Sequence, residues 1–159
     1  MSQVALLLSL IDEAFDHKSW HGTTLYGALR GLDVAVASAR PKPDRRNIWE
    51  LIVHAAYWKY TVRRRLTGEK RGSFPLEGSN WFERPGRLTA AGDATRTLKS
   101  DIQLLVAEHR RLRETVARVD EAMLHERFGE KTRAWLIRGI AAHDLYHAGQ
   151  IQLLKRLIG

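Results

Sequence analysis

The sequence predicts an all-α protein: an antiparallel four-helix bundle with one short extra helix and a long loop containing glycine and proline. Helical periodicity dominates the chain, and the alternating pattern of half-buried strands is missing. The 159 residues are 44% hydrophobic and 28% charged, close to globular averages, so a single domain spanning 1–159 with one core is expected. These proportions exclude a disordered, collagen-like or fibrous chain.

An opening helix is predicted over Gln3 to Phe15, ended by the turn-prone stretch His17 to Gly22. A second, shorter helix runs from about Gly22 to Leu32. The segment Arg40-Pro41-Lys42-Pro43 is extended, because each proline disfavours helix in the residue before it. Asn47 caps a third helix from Ile48 to about Leu66, which places Ile48, Leu51, Ile52, Ala55, Trp58 and Val62 on one broad face; Gly68 stops it. Asp93 or Thr95 opens a fourth helix that reaches about Val119, and a short turn follows at Glu121 to His125. The last helix spans about Thr132 to Leu157. Between the third and fourth helices, Thr67 to Gly92 holds too much glycine and proline for regular helix. Ser79-Asn80-Trp81-Phe82 puts two aromatics in its middle, so the loop is expected to fold back onto the bundle, as a lid.

With no cysteine in the chain, disulfides, thiolate metal sites and a cysteine nucleophile are all excluded, and any reacting thiol must arrive with a substrate. The apolar stretch Val4 to Ile11 has no basic lead-in and runs into Asp12 and Glu13, which fits neither a signal peptide nor a membrane span. A cytoplasmic protein without membrane contact is expected. The net charge of +8 raises nucleic acid or an anionic small molecule as partners. Arg63, Arg64 and Arg65 are consecutive and splay around a helix, in line with solvation and against a nucleic-acid stripe. Arg110, Arg111 and Arg118 all lie three or four residues from Glu114, within reach of surface ion pairs.

The sharpest chemical signal lies in the last helix, where the alternating spacing of a bundle seam picks out Leu136, Ile140, His143, His147, Gln150, Leu154 and Leu157. Burying His143 and His147 without partners costs about 1–3 kcal/mol each, so something must compensate them. A divalent transition metal does so directly, since two imidazoles one turn apart span the bite such an ion needs. The pair is weak evidence alone, because His17 and His21 repeat the spacing. His54, midway along the third helix, strengthens it. If the third and fifth helices are partners, His54 meets the pair and completes a three-nitrogen site with open positions, the layout of a catalytic site rather than a closed structural one.

The chain resembles the DinB family of the DinB/YfiT-like putative metalloenzyme superfamily. The resemblance is carried by Ser19-Trp20-His21-Gly22, by Asn47 to His54, by Ser79 to Phe82, and above all by Gly139-Ile140-Ala141-Ala142-His143-Asp144-Leu145-Tyr146-His147-Ala148-Gly149-Gln150-Ile151. It implies a four-helix bundle with a divalent metal, often nickel, zinc or iron, on a histidine triad that maps onto His54, His143 and His147. Characterised relatives include thiol-dependent transferases and isomerases, so the resemblance implies the metal site far better than the substrate. It also places Trp20 and His21 near the site mouth.

Other residues have bland readings beside functional ones. Asp144 has no basic residue three or four positions away; it either orients His147 from behind or is solvated. Gln150 either bonds metal-bound water or satisfies a backbone carbonyl, the commoner fate. Glu50, one turn before His54, is a candidate proton acceptor, but an ion pair with Arg46 is favoured. A core tryptophan and a surface histidine would explain Trp20 and His21 equally well. His109 and His125 read as surface residues. Trp49, Trp58 and Trp135 read as core by their spacing, with Trp58 and Trp81 kept as candidate pocket residues.

Catalytic residues stay unassigned. The function expected is a metal-dependent enzyme for small molecules, a thiol-dependent transferase or a hydrolase, with a low-molecular-weight thiol as candidate partner. The alternatives are a non-catalytic metal-binding stress-response protein and, less favoured, a basic bundle that touches nucleic acid. A homodimer stays open.

Overall fold

The computed structural model describes residues 1–86 and 91–158, so residues 87–90 of the predicted long loop lie outside the described residues. Helix α1 is Gln3–Phe15, α2 Leu25–Ala28, α3 Val34–Ser38, α4 Ile48–Thr67, α5 Ala91–Ala117 and α6 Arg133–Ile158. Ser2, Thr24, Asp33 and Asn47 cap α1 to α4, each accepting a hydrogen bond from a backbone N–H of the first turn. At α4 the cap is reciprocal: the Glu50 carboxylate returns a bond to the Asn47 N–H. Gly68 ends α4 at φ 76°, as expected.

The predicted second helix, Gly22 to Leu32, is only the four-residue α2. Gly31 sits at φ 71°, which ends the run, and Asp33 then caps α3 inside the stretch expected to connect the second helix to the third. The fourth helix starts at Ala91, ahead of Asp93 and Thr95, and Asp93 pairs with Arg96 inside the first turn. After a 3-10 turn at Glu121–His125, a two-residue antiparallel ladder joins Arg127–Phe128 to Lys131–Thr132. The hydroxyl of Thr132 accepts from the Trp135 N–H and starts α6.

The four long helices form a ring in which α4 touches α5 and α6, and α1 touches the same two. Pairing directions follow from side-chain partners. Trp49 reaches Asp101 and Lys59 reaches His109, so α4 and α5 run parallel. His54 meets His147 while Val62 packs in the cluster of Leu136 and Ile137, so α4 and α6 run antiparallel. Asp12 with Arg113 and Phe15 with His109 make α1 and α5 antiparallel. The long loop is therefore a crossover that carries the chain from one end of α4 back to the other, which a short turn cannot do. It is pinned on the way: Asn47 Nδ2 donates to the Arg84 carbonyl (2.8 Å), Arg84 Nε donates to Asp101 (2.6 Å), and Phe82 is buried against Tyr57 and Phe74.

Two apolar clusters fill the bundle. One gathers Ile48, Trp49, Ile52 and Ile151 at the α4 N-terminal end; the other gathers Leu7, Ile11, Leu112, Val116 and Ile137 at the opposite end. A buried polar layer of Lys59, His109 and Asp144 carries charge into this interior.

Several surface and core assignments are corrected here. His109 is buried, its ring stacked on Phe15 at 3.7 Å, because α5 turns that residue toward α1. Trp135 is exposed and sits beside Lys131. Leu157 is exposed as well, since the seam leaves the bundle before the helix ends. Arg63 is largely covered and bonds Glu69, and Arg111 pairs with Glu108 in place of Glu114.

Candidate metal centre

His54 projects from α4 three residues after Leu51, at the edge of the helix face that packs on α6; His143 and His147 occupy one turn of α6 opposite it. The three side chains offer ligand nitrogens that all lie within 4.8 Å of one another. The Nε2 atom of His143 is 3.1 Å from that of His54 and 3.0 Å from that of His147. Imidazole nitrogens sharing one ion at about 2.0–2.1 Å lie about 3.0–3.4 Å apart, so these separations suit a common centre.

Protonation is set from behind the rings. His54 Nδ1 is 2.8 Å from the carbonyl oxygen of Asn80, which can only accept, so Nδ1 carries the proton and the Nε2 lone pair faces the cluster. His147 Nδ1 is 2.6 Å from Gln150 Oε1, with the same result. At His143 the Nδ1 atom is buried without a partner. A proton on His143 Nε2 can serve only one of the two facing lone pairs well; a proton on Nδ1 leaves three lone pairs converging with nothing between them. A cation at their meeting point relieves that repulsion, and this donor set of three neutral nitrogens fits a divalent transition ion.

Burial is the main cause that lowers all three histidine pKa values, His54 to about 4 and His143 to about 3, while the Asn80 and Gln150 bonds oppose it at His54 and His147. The three rings are therefore neutral at pH 7, the form a metal requires.

The crossover loop closes one side of the centre. Trp81 stacks flat on His54 at 3.8 Å, and the Arg46 guanidinium lies 4.8 Å over the same indole. Trp58, half-buried, sets its ring edge-on to His54 and donates from Nε1 to Asn80 Oδ1 at 2.9 Å. Asn80 thus holds two site residues at once, and it does so from the left-handed region at φ 64°. Its role is not legible in Ser79 to Phe82, because the backbone carbonyl that takes the His54 bond leaves no side-chain signature and the Oδ1 bond to Trp58 depends on where the loop returns.

The remaining candidates divide. Gln150 accepts from Nδ1 of His147, one of the three candidate ligands, in place of either expected role. Asp144 neither orients His147 nor meets solvent: it is buried and paired with Lys59, a lysine that sequence reading overlooked because the partner comes from another helix. Glu50 is buried as well, held by Arg40 at 2.6 and 3.0 Å and only at 3.8 Å by Arg46, so the proton-acceptor reading gives way to an ion pair with a different arginine. Trp49 is core and donates to Asp101. His21 is exposed and bonds the Glu13 carbonyl, and Trp20 is fully exposed. His125 is exposed, as expected, and bonds Gln3.

The fold and its centre together define a helical bundle that presents a pre-oriented triad of neutral imidazoles, which could hold a metal ion. The family model described as the DinB superfamily matches residues 19–151, and the chain belongs to that superfamily. No curated protein and no solved structure matches the chain.

Proposed function

We propose that His54, His143 and His147 hold one divalent transition-metal ion, nickel, zinc or iron, and that the protein is a metal-dependent enzyme for small molecules, a thiol-dependent transferase or a hydrolase. The observation that carries this reading is the pair of fixed tautomers, with Asn80 and Gln150 turning the Nε2 lone pairs of two rings onto the third. When bound there, a divalent ion supplies Lewis acidity. The three ligands are neutral and no carboxylate joins them, so the ion keeps its full charge for a nucleophile or an anionic substrate group. Trp81 and Trp58 cover the His54 side and exclude water from it. Arg46 stands on the outer face of Trp81, half-exposed, where it attracts an anionic substrate toward the centre. The chain has no cysteine, so a thiol nucleophile comes from solution.

Cobalt-substituted protein tests the reading. Small anionic thiols at sub-millimolar concentration are expected to change its visible spectrum, plain alcohols of the same shape are not, and His54→Ala is expected to abolish the change. Turnover of phosphate esters or lactones with no response to thiols would select the hydrolase branch. A spectrum indifferent to thiols, together with no turnover of any ester, lactone or thiol-acceptor pair, would contradict the enzyme reading.

A further inference from the structure

The first half of the crossover loop encloses space of its own. Residues Arg71 to Ser79, together with Tyr57 and Tyr60 of α4, line a cavity of about 300 Å³, the small end of the range for small-molecule sites. Gly72 and Gly78, at φ 121° and 110°, turn the chain at either end of this wall. The Tyr60 hydroxyl accepts from the Gly72 N–H at 3.2 Å, which ties the wall to the helix. Phe74 sets its ring edge-on to Tyr57 and tilted to Tyr60, each at 5.3 Å between centroids, and half-buried Leu76 lines the cavity beside them. These side chains make an apolar floor. No residue of the histidine triad lines the cavity, and the chemistry proposed at that centre makes no use of it.

The cavity carries one charge of each sign. Arg71 and Glu77 both line it, and neither has a hydrogen-bond or ion-pair partner among the described residues, so they do not pair with each other. Glu69, at the start of the loop, is by contrast taken up by Arg63. Ser73 to Gly78 make no hydrogen bond to the rest of the chain among the described residues, which leaves the polar backbone groups of the wall open as well. A cavity lined by charge of one sign selects a simple ion. One lined by both signs over an apolar floor selects a ligand that carries both charges and an apolar body. A free α-amino acid meets that description within a volume this small: its carboxylate matches the fork of a guanidinium, its ammonium a carboxylate, and its side chain the aromatic floor.

We propose that this cavity is a binding site for a free, zwitterionic amino acid with an apolar side chain, held by Arg71 at its carboxylate and by Glu77 at its ammonium. The inference stands independently of any metal or activity.

Calorimetric titration of the metal-free full chain with L-leucine, L-methionine and L-phenylalanine tests it. At least one of the three is expected to bind at one site per chain with a dissociation constant below about 1 mM. The N-acetyl and the amide forms of that amino acid each lack one charge and should bind about tenfold more weakly or worse. Arg71→Gln and Glu77→Gln should each cause a loss of the same order, with unchanged helical circular dichroism, because both side chains are exposed and unpaired. Lys70→Gln, which removes an exposed neighbouring cation that does not line the cavity, should bind as the wild type does. No binding of any of the three amino acids up to about 10 mM would overturn the proposal. So would binding indifferent to Arg71→Gln and Glu77→Gln, or blocked derivatives that bind as tightly as the free amino acid.

Discussion

Lys59 is the residue whose surroundings depart furthest from what its type prefers. Its ammonium is fully buried between α4, α5 and α6, paired with Asp144, 3.4 Å from His109 Nδ1 and 4.8 Å from the centre of the Phe15 ring. Removing one partner of a buried pair leaves the other uncompensated, so Lys59→Met is expected to cost about 3–5 kcal/mol. Lys59→Met combined with Asp144→Leu should recover most of that loss, because the second change removes the stranded charge. Urea denaturation of the three proteins checks this; a Lys59→Met loss under 1 kcal/mol would mean that the layer relaxes to water. His109 beside it makes stability depend on pH. Burial first, then repulsion from Lys59, lowers its pKa to about 2, whereas the unfolded chain titrates near 6.5. The unfolded state therefore binds the extra proton below pH 6.5, and the stability contributed by neutral His109 is whole above that value and lost as pH falls toward 2. In metal-free protein the loss is about 1.4 kcal/mol per pH unit from this residue. His109→Leu should flatten the slope between pH 6 and 4 by that amount, as read from denaturation midpoints; an unchanged slope would show that His109 is protonated in the folded chain. Spacing together with the family resemblance made His54, His143 and His147 legible, because inward polar residues on amphipathic helices break a visible pattern. Lys59 and His109 were not, since whether a polar residue at the edge of a helix face is buried depends on which helix lies over it.

At the scale of elements, the crossover loop divides its two aromatics between different tasks. Phe82 is buried among Tyr57 and Phe74 and belongs to the core, so Phe82→Ala should destabilise by about 3–5 kcal/mol. Trp81 is only half-buried and lies on His54, so Trp81→Ala should cost far less stability and act on ligand affinity at the centre. Thermal melts compared with cobalt spectra separate the two; equal melting losses would make Trp81 core and end its covering role. Gln150 offers a finer test. Gln150→Ala frees the His147 ring to rotate and is expected to weaken metal affinity about 10–100-fold with little change in melting temperature. The loop's return onto the bundle could be read from Trp81 and Phe82, while Asn80's hold on His54 and Trp58 could not. The break of the second helix at Gly31 and the capping of α3 by Asp33 were also hidden, because four- and five-residue helices hold too few turns to display a period.

For the whole molecule, the arrangement of the long helices decides where chemistry can occur. Since α4 and α5 run parallel, α4 is left free to pack antiparallel on α6, and this alone brings His54 level with His143 and His147. The count and order of the long helices followed from periodicity and breakers; direction did not, because a long loop permits either a hairpin or a crossover. The direct test of the account is metal content. Protein purified without chelators and measured by plasma mass spectrometry is expected to hold close to one first-row transition ion per chain. His54→Ala, His143→Ala and His147→Ala should each lose most of it, while His125→Ala, an exposed residue bonded only to Gln3, should keep it. Equal metal content in all of these proteins, or no metal retained by the wild type after loading and dialysis, would contradict the assignment.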